Sequence, residues 1–225
     1  MIKINLKPSE WLKIGILILV FVVGSTSAYQ ILQPKPRLPI YNPSDLNPAV
    51  VDDDLERLGR GHRIGNFELT DQWGMPVDSS LLRDKIYVAD FFFTTCPTIC
   101  IDMGKNFQRL QETFLQEDRV NLVSHTVMPE VDSVEMMYDY GQRMGALKGK
   151  WHLLTGEKRE LYRMARRQYF AVMEPGTSFD EHDFIHTENM MLVDEKKRIR
   201  GFYDGTNDLE IDRLIGDIKV LLDRH

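Results

Sequence analysis

Only two of the 225 residues are cysteine, and basic residues are in deficit: 28 Lys and Arg face 34 Asp and Glu, a net charge of −6. Two thiols are too few to staple a disulfide scaffold. The charge balance argues against nucleic acid as a partner, because the short basic runs 163–167 and 196–200 read as solvated faces of a helix and a strand end. No internal repeat is present, and low complexity is confined to a proline-rich stretch near the N-terminus. Charge is also missing where it matters for topology. No Asp, Glu, Lys or Arg occurs between Ile14 and Pro34, whereas Lys3, Lys7 and Lys13 precede that stretch. The first cysteine after it is Cys96, which excludes a lipid anchor on a cysteine just behind the apolar run.

What is present follows from these gaps. Residues 1–30 read as a short cytoplasmic tip and an uncleaved signal anchor, with the leading lysines holding the N-terminus in the cytoplasm and the rest of the chain outside it. Ser25 and Ser27 also match the spacing of a cleavage site, so removal of the segment is the alternative. Five of the ten prolines fall within 33–48, which suggests an extended tether over residues 31–63. The remaining 64–225, in a chain that is 43% hydrophobic, suffice for one well-buried domain beginning near Ile64.

Within that domain, "FELTDQWGMPV" (67–77) has the apolar–turn–apolar form of a hairpin. "KIYVADFFF" (85–93) is too apolar to alternate and reads as a central buried strand of a parallel sheet. A helix is expected over 96–117, with Pro97 in its first turn, followed by a strand at 119–127 and a helix at 133–144 closed by Gly145. A short strand at 151–156 and a helix at 157–168 come next, then an irregular acidic insertion at 173–185. A hairpin (187–194, 198–205) and a helix (207–224) complete the chain. This order predicts an α/β sandwich of the thioredoxin type, preceded by a transmembrane helix.

Cys96 and Cys100 stand four apart where the central strand gives way to a helix. Side chains at i and i+4 share a helix face, so the sulfurs can bond to each other or converge on one ion. A helix N-terminus favours thiolate over thiol. An inert disulfide is the plainest alternative, yet it would close too short a loop to remove much chain entropy. A metal site needs a third donor. Among six histidines, His186 opens the strand expected beside the Cys helix, in a chain with no proline after Pro175. His62 and His225 are expected to be exposed, His125 to end a strand, His152 to be packed or at the surface, and His182 to lie in the acidic insertion. Two thiolates and one imidazole suit soft, low-coordinate Cu(I) better than Zn(II) or a hard cation. Met103 and the other methionines read mainly as core filling.

Four segments together resemble the SCO (SenC) proteins, membrane-anchored thioredoxin-fold copper chaperones of cytochrome c oxidase assembly. "FFFTTCPTIC" (91–100) matches the pattern F-x-F-T-x-C-P-x-x-C, and "PEVDS" (129–133) matches P-E-x-D-[ST]. "WHLLTG" (151–156) and "HTENMMLVD" (186–194) match two further segments. Met128 stands where an aspartate commonly precedes the proline. The resemblance implies Cys96, Cys100 and His186 as ligands of copper, as Cu(I) and secondarily Cu(II). It also implies Cys96 and Cys100 as a redox couple. The expected partner is a copper-accepting oxidase subunit or its assembly factors, and the expected location is the periplasmic side of the membrane. A metal-independent thiol–disulfide oxidoreductase, with Cys96 attacking and Cys100 resolving, is the alternative. A peroxidase is weaker, since no arginine is clearly paired with a thiol.

Overall fold

The computed structural model describes residues 8–32, 37–46, 60–171 and 187–223. Two units are distinguished, Met1–Arg37 and Leu38–His225. In the first, helix α1 (Pro8–Leu32) contains the span Trp11–Tyr29, 19 residues with mean hydropathy 1.9 and none of it buried. That length and composition are enough to cross a bilayer.

The second unit is built on a seven-stranded sheet with spatial order β2-β1-β5-β4-β3-β6-β7. The strands are β1 (Glu68–Asp71), β2 (Pro76–Asp78), β3 (Ile86–Phe92), β4 (Val120–Thr126), β5 (Trp151–Thr155), β6 (Asn189–Val193) and β7 (Ile199–Asp204). β3, β4 and β5 run parallel, and the hairpins β1–β2 and β6–β7 flank them antiparallel. The strand expected to be central in a parallel sheet therefore has one parallel neighbour, β4, and one antiparallel neighbour, β6.

All seven residues of β3 are buried because both faces of the sheet are covered. Ile86, Val88 and Phe92 pack under α2 (Ile99–Thr113), α3 (Val134–Met144) and α5 (Asp208–Leu222), against Phe107, Met137 and Leu214. Tyr87, Ala89 and Phe91 face the other way, against Leu161, Met164 and Ala165 of α4 (Lys158–Arg167). The strand period of two thus divides one apolar run between two cores. Local signals set the ends of α3. The Ser133 side chain accepts from the Met136 N–H at 3.2 Å, and Gly145 takes the left-handed conformation at φ 71°. Gly104 lets α2 approach α3 closely, since a Cβ there would lie 2.8 Å from Met144 Sδ.

Part of the expected tether is docked. Leu38 packs on the first core, and the Tyr41 N–H donates to Ile199 O at 3.0 Å. Arg200 donates to the carbonyls of Pro39 (2.7 Å) and Leu38 (2.6 Å) while its Nη1 pairs with buried Asp194 at 2.8 Å. Composition alone marked this stretch as a linker; a guanidinium 161 and 162 residues downstream of Pro39 and Leu38 secures it. The acidic insertion expected at 173–185 lies outside the described residues.

His125, on β4, is completely buried and stacks on Phe91 at 5.2 Å with Tyr169 at 5.4 Å. Neither ring nitrogen makes a well-formed hydrogen bond. Burial lowers its pKa from 6.5 to about 4, and the Asp90 carbonyl offsets only part of this. The unfolded chain therefore takes up this proton first as pH falls. The associated stability is full above 6.5 and is lost on the way down through 4, for about 3 kcal/mol. His125→Phe should remove this contribution, so the stability of the wild type relative to the variant should fall between pH 7.5 and 4.5, as urea denaturation of both proteins at the two pH values would measure.

Candidate redox and metal site

The chain leaves β3 at Phe92 and enters α2 at Ile99, with Thr98 as N-cap. The helix expected from Cys96 thus starts three residues later. Pro97 disfavours helical backbone for Cys96, which stays in the connecting loop, and Thr98 is also non-helical at φ −131°, ψ −97°, so the first helical residue is Ile99. Cys100 is the second residue of α2. Both thiols are free and buried, Cys96 being 7% and Cys100 3% exposed.

The two sulfurs sit in opposite electrostatic settings. Burial alone would raise the Cys96 pKa, but it is outweighed by the N–H groups of Thr98 and Cys100, with the Cys100 thiol and Thr98 hydroxyl adding to them. Cys96 is therefore held below the ordinary thiol value, an anion site made from the unpaired donors of a helix N-terminus. Burial pushes Cys100 up to about 12; the Phe93 N–H opposes this, while the neighbouring Cys96 and Asp90 reinforce it. The pair accordingly holds one thiol ready to ionise and one that keeps its proton until a partner takes its place. Within hydrogen-bonding reach of each other, they can close a disulfide by oxidation, or bind a soft ion that expels the protons.

Beneath them, Asp90 is 3% exposed and shares a sheet face with Val88 and Phe92. Burial raises its pKa to about 7; a Ser124 hydrogen bond opposes the shift, and Oδ1 has no hydrogen-bond partner. The Tyr140 hydroxyl donates to Cys100 O at 3.1 Å, and burial raises its own pKa well above the usual phenol value, with Asp90 adding to the effect. Sequence reasoning missed Asp90 and Tyr140. A lone acid inside "KIYVADFFF" was the available signal for the first; nothing marked the second.

His186 lies outside the described residues. Its neighbour Thr187 is buried and leads into β6, whose register Ala89↔Met191 directs the start of β6 to the end of β3 from which the Cys loop departs. The other described histidines sit elsewhere. His125 and His152 are buried within the sheet, and His62, expected to be exposed, is half-buried, with Nε2 2.7 Å from Gln168 O. His182 and His225 lie outside the described residues. Met103 is buried in the core. Among the described residues no group of three or more His, Cys, Asp or Glu is placed to hold a metal ion.

The SCO1/SenC family model matches residues 56–223. A SCO1 protein homolog of Bacillus subtilis is 26% identical over 160 residues, 70% of this chain and 82% of its own length. Among solved structures, Arabidopsis thaliana ScoI with copper bound is 25% identical with a TM-score of 0.55, covering 72% of this chain and 98% of that one. BsSco, described as a member of the Sco family of cytochrome c oxidase assembly proteins with a disulfide switch, shares the fold. It is 24% identical with a TM-score of 0.61, over 73% of this chain and 95% of its own.

Proposed function

The chain belongs to the SCO1/SenC family, and from that premise we propose that it is a membrane-anchored copper chaperone. Cys96, Cys100 and His186 hold Cu(I) as cargo and pass it by ligand exchange to the dinuclear copper centre of a cytochrome c oxidase. The observation that carries this reading is the pair of free thiols at the N-terminus of α2, one predisposed to ionise and both soft donors. Copper bound in the Arabidopsis relative supports the cargo, and family membership supports the oxidase as client. The apolar helix Trp11–Tyr29 with lysines ahead of it supports an anchor with the folded domain on the periplasmic side. The same dithiol can also reduce the client's cysteines, giving up two electrons and two protons as it closes to a disulfide.

The test is titration with Cu(I) under a competing chelator. The reduced protein should take up one Cu(I) and the disulfide form none. His186→Ala should weaken binding roughly tenfold or more, while the disulfide still forms. Unchanged binding in His186→Ala would reject the three-donor site and favour a metal-independent dithiol oxidoreductase.

A further inference from the structure

We propose that Asp132 is a positioning residue for Cys96, acting through Thr94. Its carboxylate is fully buried, ahead of α3, and bridges the loop after β3 and the end of β4. Oδ1 accepts from the Thr94 N–H at 3.1 Å and from the Thr94 hydroxyl at 2.6 Å. Oδ2 accepts from the Thr126 hydroxyl at the end of β4, and that oxygen accepts in turn from the Met128 N–H at 3.0 Å.

The loop needs such a tie. Its N-cap residue, Thr98, makes no side-chain capping bond, and the Cys96 N–H reaches only Phe93 O, at 3.3 Å, within the same segment. Among the described residues, the hydrogen bonds that tie 94–98 to anything outside the β3–α2 segment are those that Thr94 donates to Asp132. Thr94 is two residues ahead of Cys96. Fixing its backbone N–H and its side chain to one carboxylate sets where the loop turns, and so whether the Cys96 sulfur meets the N–H groups of Thr98 and Cys100. A buried carboxylate with three donors and, among the described residues, no ion pair is costly to keep unless its geometry serves a purpose. An apolar residue could fill the same space, but it could not specify the loop.

The copper part of the test rests on the proposed function; the thiol part does not. Asp132→Ala should slow alkylation of Cys96 at pH 7 by about tenfold, because the loop that presents the sulfur loses its tie at Thr94. It should also weaken Cu(I) binding, measured against a chelator on folded protein, by roughly 10- to 100-fold. Asp132→Asn should recover most of both, because its carbonyl oxygen can still accept from Thr94 while its amide donates to Thr126. Thr94→Val, which removes only the hydroxyl, should shift both measurements in the same direction and decides the matter should Asp132→Ala not fold. Slower alkylation in a protein whose wild type binds no copper would sustain the tie and reject the chaperone reading. Wild-type alkylation and copper affinity in folded Asp132→Ala, or in Thr94→Val where the former does not fold, would show a merely structural carboxylate and overturn the proposal.

Discussion

Cys100→Ser is expected to remove tight Cu(I) binding, a larger loss than the roughly 100-fold that attends loss of a group supporting a ligand. A serine hydroxyl is a hard, neutral donor in place of a thiolate. The pH dependence gives a sharper signature. Because the Cys100 pKa lies near 12, the metal must displace that proton to bind at neutral pH. The wild-type affinity should therefore rise by about tenfold per pH unit from 7 to 9, from this residue alone. In Cys100→Ser this slope should vanish along with most of the affinity. Cys96→Ser should also bind weakly yet keep the slope in what remains, because the proton at issue is on the other sulfur. Chelator competition at several pH values separates the two variants, and an affinity independent of pH in the wild type would exclude Cys100 as a ligand.

Asp90→Asn is expected to stabilise the protein, most strongly in alkaline solution. The folded-state pKa of Asp90 is raised from 3.8 to about 7. A raised carboxyl contributes fully below 3.8, and its contribution is lost as pH climbs through 7. Over that interval the wild type should lose about 4 kcal/mol relative to Asp90→Asn, the equivalent of three pKa units. The neutral amide does not titrate, so urea midpoints of the two proteins should agree near pH 4 and diverge steadily to pH 8. Equal midpoints at pH 8 would mean that the carboxylate is better solvated than its 3% exposure indicates. The same substitution removes a charge that keeps Cys100 protonated, so stability and thiol chemistry oppose each other at this one residue.

Much of the fold was legible because its signals are local. Ser133 and Gly145 bound α3, and the apolar run 85–93 contains β3. The start of α2 was misread by three residues. Pro97 satisfies the preference for proline in a first helical turn, but its steric effect on Cys96 works against that reading, and only the backbone decides between them. The thiols could be found by spacing; their unequal acidity could not, since it arises from the burial of Cys100, to which Asp90 ten residues upstream adds, and from the donors at the start of α2 that lower Cys96. Asp132 was visible only as one letter of "PEVDS". Its bonds to Thr94 and Thr126 depend on three segments meeting, and no periodicity records that.

The docking of Leu38–Leu46 has a colloidal consequence. An open sheet has two borders, each offering unpaired N–H and C=O groups to any other strand in solution. Here β2 ends one border after three residues and begins with Pro76, which has no N–H to offer. At the other border, β7 is shielded by the upstream strap, with Tyr41 bonded to Ile199 and set edge-on to Phe202 at 5.3 Å. The segment expected as a tether thus also covers the β7 border of the sheet. A chain shortened to start at Arg60 would retain both thiols and all seven strands, yet leave β7 open to a second copy of itself.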